Sequence, residues 1–68
     1  MFIEVTARTG KKRVINAKHI FSFYEDTNGE GTVLYFPDNS FLIIKEKYED
    51  FKVMVNQALA QASKFIIK

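Results

Sequence analysis

The chain opens on an alternation. In FIEVTART, residues 2–9, Ile3, Val5 and Ala7 point one way and Phe2, Glu4, Thr6 and Arg8 the other. That period of two predicts a half-buried strand. Gly10 follows and supplies the positive φ of a tight hairpin. KRVIN, residues 12–16, returns as a second short strand. HIFSFYE, residues 19–25, is rich in β-branched and aromatic side chains and reads as a third. DTNGEG, residues 26–31, is a turn cluster with two glycines, and TVLYF, residues 32–36, is the fourth strand. Pro37, Asp38 and Asn39 predict a three-residue hairpin loop, with Asn39 in the left-handed conformation where glycine usually sits. SFLIIKE, residues 40–46, is the fifth strand.

The period then changes. Tyr48, Phe51, Val55, Ala58, Ala62 and Phe65 recur every three or four residues and share one helical face. Glu46, Glu49 and Asp50 sit in or near the first turn, where carboxylates suit the helix dipole. The spacing predicts a helix over about 47–63, with no good N-cap, followed by an apolar tail over 64–68. The fold class expected is α+β, mainly β. It is a single small domain holding a five-stranded antiparallel, strongly bent sheet or small open barrel and one C-terminal helix. The expected core includes Ile3, Val5, Val14, Ile20, Val33, Leu34, Ile43, Phe51 and Val55.

Strands three to five are apolar on both parities. Val33 and Tyr35 oppose Leu34 and Phe36, and Phe41 and Ile43 oppose Leu42 and Ile44. A sheet with one wet face alternates apolar and polar residues, so here both faces call for cover. One helix covers one face. The other must curl into a barrel or meet a second subunit, and a homo-oligomer is expected. Phe65, Ile66 and Ile67 in the tail are candidate interface residues.

With 68 residues, a domain buries only about 60% of the surface of its unfolded chain. Marginal cores of this kind often rely on a staple or a partner. There is no cysteine, so disulfides and thiolate metal sites are excluded, and the lone His19 cannot build a zinc site. The opening residues do not read as a signal peptide, and no apolar run is long enough to span a membrane. The expected setting is cytoplasmic, without a membrane partner.

Charge is unevenly placed. The net charge is +2, yet residues 5–24 hold Arg8, Lys11, Lys12, Arg13 and Lys18 and no acid, while residues 25–50 hold seven acids and two lysines. A basic end can steer a polyanion or meet another subunit's acidic end. Arg8, Lys11, Lys12, Arg13 and Lys18 are the candidate nucleic-acid contacts. Lys12 and Arg13 are adjacent in a strand and leave it on opposite faces, so only the tip around Arg8 to Lys12 is expected to converge.

Other candidate chemistry is thin. His19 suits a general base or pH switch but has no partner placed by sequence. Phe21, Phe23, Tyr24, Tyr35, Phe36 and Phe41 suit base stacking or, more simply, core and interface. Glu46 and Asp50 share a helical face, and the DTNGEG loop has the acids but not the spacing of a Ca²⁺ loop. There is no phosphate loop, triad or nucleophile elbow. An enzyme is not expected, nor a cofactor.

The stretch VTARTGKKRVINAKHIFSF resembles the opening of the short FlbD-type proteins encoded among bacterial flagellar genes. The matching residues are Val5, Thr6, Gly10, Val14, Ile15, Asn16, Ala17 and Ile20, and FLIIKE resembles that family's closing strand. The resemblance covers roughly residues 2–56. Lys47 stands where the family usually has a serine, Asp38-Asn39 replaces its usual Asn-Gly, the 26–31 loop is longer, and LAQASKFIIK reads as an added tail. Residues 11–60 are more weakly similar to the first half of LytTR-type DNA-binding domains, without the later segment rich in Arg and His. The FlbD resemblance implies a non-enzymatic assembly or adaptor module with a protein partner. The alternative is a small nucleic-acid-binding protein that uses the hairpin over 8–13.

Overall fold

The computed structural model describes residues 1–66, with side chains described through residue 60. Five strands precede the helix: β1 (Phe2–Thr6), β2 (Lys12–Asn16), β3 (Ser22–Glu25), β4 (Thr32–Tyr35) and β5 (Phe41–Ile44), then α1 (Tyr48–Ile66). They form two antiparallel sheets, β1–β2 and β3–β4–β5. The single five-stranded sheet expected from the pattern is therefore corrected to a pair of sheets, and no closed barrel forms.

The reason lies at the end of β1. Only Ala7 bridges to β5, opposite Ile44. It is flanked by bonds from the Arg8 N–H to the Ile43 carbonyl at 2.9 Å and from the Lys45 N–H to the Thr6 carbonyl at 2.8 Å. A longer ladder would send the Thr6 N–H back to the Lys45 carbonyl. That N–H is instead held by the Glu46 carboxylate. On the other side the chain turns away at Arg8, leaving β1 no residues to run along β5.

Two hairpins use one device. The Ala7 N–H reaches the Lys11 carbonyl and the Gly10 N–H the Ala7 carbonyl, and Phe36, Ser40 and Asn39 repeat the pattern. Gly10 has φ 98° and Asn39 φ 72°, the left-handed residue that closes a three-residue loop. Residues 19–21, expected to begin the third strand, differ. Ala17–His19 form a short 3-10 turn capped by the Asn16 side chain, which accepts from the Lys18 N–H. That local bond competes with extension and delays β3 to Ser22.

α1 covers one face. Val5, Ile15, Leu34, Ile44, Phe51 and Val55 form the buried cluster, with Ile3, Ile20, Phe23, Phe36, Leu42 and Met54 packed against it. Phe51 is fully buried and meets the Phe23 ring edge-on at 5.0 Å, a favourable aromatic geometry. Two expected core positions shift by one residue. Val14 is 64% exposed while Ile15 is buried, and Ile44 is buried in place of Ile43. Register explains both, since Ile15 lies opposite Ile3 and Ile44 opposite Thr32 on the inner face, whereas Val14 lies opposite Glu4. Ile3, Ile20 and Ile43 are half-buried. Val33 is buried but belongs to the other face, paired with Tyr24 and Ile43. Among the described residues no helix is long and apolar enough to cross a membrane.

Candidate functional site

The basic residues are placed by the first hairpin. Arg8 enters the turn with its main chain anchored on Ile43, and Lys11 leaves it by closing on Ala7. Lys12 faces Thr6 across the ladder and its Nζ donates to Thr6 Oγ1 at 3.1 Å. Arg13 lies opposite Val5, on the other face. All four border one open cleft of about 400 Å³, together with Ala7, Phe41, Leu42 and Ile43. Lys12 and Arg13 leave β2 on opposite faces, as expected, Lys12 beside Thr6 and Arg13 beside Val5, although both border the cleft. The cleft lies between the first hairpin and β5. Lys18 stands apart, exposed in the 3-10 turn. Among the described residues the one ion pair is Lys52–Glu49 at 3.3 Å, so Arg8, Lys11, Lys12 and Arg13 make none there, though Arg8 also borders a smaller cleft with Asp26 and Glu30.

The aromatic residues divide by face. Phe23 and Phe36 pack on the core. Tyr24, Tyr35 and Phe41 lie on the outer face of β3–β4–β5, where Tyr35 pairs with Phe41 and stands diagonal to Tyr24. Their rings form a row, with centroids 5.7 Å apart for Tyr24–Tyr35 and 6.0 Å for Tyr35–Phe41. The two tyrosine hydroxyls bond to each other at 3.2 Å. This bond holds the Tyr24 phenol above its usual pKa, with slight burial and the nearby Tyr35 and Asp26 charges adding to the effect. Tyr24 is 45% and Phe41 59% exposed. Tyr35 between them is half-buried, and Phe41 belongs to both the row and the cationic cleft.

Phe21 sits elsewhere, at the free edge of β3. It borders a groove of about 380 Å³ whose walls include Ala17, Ile20, Phe23, Val55 and Leu59.

The remaining candidates have structural uses. Glu46 is bound to the Thr6 N–H rather than paired with Asp50. Asp26 Oδ1 accepts from the Thr27 N–H and Asn28 Oδ1 from the Glu30 N–H, so the DTNGEG acceptors shape their own turn. Among the described residues no three His, Cys, Asp or Glu side chains gather as a metal would need. His19 stacks on Phe36 at 5.7 Å. The side chains of Phe65, Ile66 and Ile67 lie outside the described residues. Sequence reading missed the Glu46 tie, because a carboxylate after a strand carries no mark of the N–H it will meet forty residues away. Comparison with protein-family models, with characterised proteins and with solved structures returns no match to this chain.

Proposed function

We propose that the chain is a non-enzymatic, FlbD-like assembly module that works as a homo-oligomer joined along the free edge of β3. The observation that supports this reading is Phe21, 76% exposed at the lip of the apolar groove between β3 and α1. The outer edges of β2 and β3 are built differently. β2 carries Lys12 and Arg13, charged side chains that discourage strand addition. β3 reads Ser22-Phe23-Tyr24-Glu25 and holds neither lysine nor proline. A second copy supplies a like edge and a like Phe21, so a two-fold pairing seats each ring in the other's groove. A cytoplasmic setting and a further protein partner belong to the same reading.

The test is light-scattering mass across a concentration series, for the wild type beside Phe21→Asp, with circular dichroism as the check on folding. A mass above one chain that falls to one chain in the folded variant is the expected result. A one-chain wild type at every concentration overturns the assembly reading. An oligomer indifferent to Phe21→Asp overturns the β3 edge as its seam.

A further inference from the structure

We propose that the outer face of β3–β4–β5 and the adjoining cationic cleft form a binding site for single-stranded nucleic acid. Bases stack along Tyr24, Tyr35 and Phe41, and Arg8, Lys11, Lys12 and Arg13 hold the phosphates. The site goes beyond the assembly reading and uses the outer face of the sheet rather than the β3 edge, although its first ring, Tyr24, stands on β3. β3 and β5 lie at opposite margins of their sheet, and the cleft is on the β5 side.

Three observations converge. The first is an aromatic row on the outer face, exposed at Tyr24 and Phe41 and half-buried at Tyr35, with rings one strand apart at centroid steps of 5.7 and 6.0 Å. An internal apolar packing need would have turned such rings inward, as it does Phe23 and Phe51. The second is charge. The four cations around the cleft make no ion pair among the described residues, and residues 5–24 contain no acid. The third is continuity. Phe41 is the last ring of the row and also a wall of the cleft, so a strand whose bases lie on the rings carries its backbone to the cations. Stacking platforms beside a positive groove bind single strands with little sequence preference, because every base has a flat face.

The geometry selects an unpaired strand over a duplex. Bases in a duplex stack on one another and offer edges, not faces, to a protein. A row of rings whose planes step by 27° and 46° takes up separate bases more readily than the edges of a stack. An acidic polypeptide satisfies the cations but leaves the rings idle.

Fluorescence anisotropy with labelled oligothymidylate and oligouridylate tests the site, beside the same probes annealed into duplex. Four phosphate contacts on a single strand give a salt slope near −3, so a fourfold rise in salt weakens binding about fiftyfold. Lys11→Ala/Arg13→Ala flattens that slope by about half. Phe41→Leu keeps the apolar bulk but loses the ring and weakens binding about tenfold, whereas Phe41→Trp restores it. Every variant is checked for folding by circular dichroism, and all the positions changed are exposed. No binding at low salt overturns the proposal. So does duplex bound as tightly as single strand, or Phe41→Leu bound as tightly as wild type with polyphosphate competing equally per charge. That last result would leave a polyanion patch without a stacking platform.

Discussion

The main-chain N–H of Thr6 donates to both carboxylate oxygens of Glu46, at 2.9 and 3.0 Å. Next to it the Lys45 N–H donates to the Thr6 carbonyl at 2.8 Å, and Thr32 Oγ1 donates to the Glu46 carbonyl at 2.8 Å. One short segment between β5 and α1 thereby ties the first strand to the fourth. It fixes how the basic hairpin leaves the three-stranded sheet, and hence the shape of the cleft. Hydrogen bonds to charged groups contribute about 1.5–3 kcal/mol. Glu46→Ala is expected to lower stability by about 2 kcal/mol, with Glu46→Gln, which keeps one acceptor oxygen, losing less. Urea unfolding checks this as a lower midpoint at unchanged slope. An unmoved midpoint in Glu46→Ala would show that the tie contributes nothing.

The Val14–Ile15 pair separates what alternation can say from what it cannot. Apolar residues stand side by side in KRVIN, and nothing local says which of the two faces the helix. Register decides it, with Ile15 opposite Ile3 and Val14 opposite Glu4. A slip of one residue inverts a whole strand. Ile15→Ala should therefore cost about 2–5 kcal/mol, a large share of the stability of a domain this small. Val14→Ala should stay within about 0.5 kcal/mol. Thermal and urea unfolding of the two variants gives the comparison, and equal losses would refute the assigned register.

Turns and helix are legible for the opposite reason, since their signals are local. Gly10 and Asn39 stand where the backbone takes φ 98° and 72°. Glu49 and Asp50 fall in the first turn of α1, and Phe51 and Val55 turn its apolar face to the core. The break into two sheets is not legible, because it depends on Glu46 meeting Thr6 across forty residues. The basic residues of the candidate site can be read directly, but their meeting with Phe41 cannot. It needs the bend of the hairpin as well as the identity of the residues.

The apolar tail bears on assembly. Fully burying an aliphatic or aromatic side chain contributes about 1.5–3 kcal/mol. If Phe65, Ile66 and Ile67 reach the seam, truncation after Ser63 should weaken self-association at least tenfold. Sedimentation equilibrium of the truncated chain measures it. A dissociation constant equal to that of the full chain removes the tail from the interface and leaves the β3 edge alone.

Asp38 makes the second hairpin sensitive to acid. Its Oδ1 accepts from the Ser40 hydroxyl at 2.6 Å and the Ser40 N–H at 3.0 Å. Those bonds, the hydroxyl first, hold the carboxyl below its ordinary value, with the charge of His19 acting in the same direction against slight burial. A depressed folded pKa favours the folded state above the unfolded value of about 3.9, and the contribution is lost as pH falls through the folded value. Carboxyl NMR titration should give Asp38 a midpoint below about 3.9, and Ser40→Ala should raise it. A midpoint unchanged by Ser40→Ala would mean the loop bonds do not set it.

The Tyr24–Tyr35 pair carries the opposite sign. The bond between their hydroxyls, 3.2 Å long, is the main cause of the raised Tyr24 pKa. A raised value favours the folded state fully below the unfolded tyrosine value of about 10, and that contribution is lost as pH climbs through the folded value. The Tyr24 ring is therefore uncharged at neutral pH, as a surface for stacking bases must be. Tyr35→Phe removes the hydroxyl but keeps the ring. Ultraviolet phenolate titration should then show Tyr24 ionising at lower pH than in the wild type, while single-strand affinity at neutral pH changes little. A Tyr24 midpoint that stays put would break the link between the hydroxyl bond and the shift. A large loss of affinity in Tyr35→Phe would assign recognition to the hydroxyl rather than to the face of the ring.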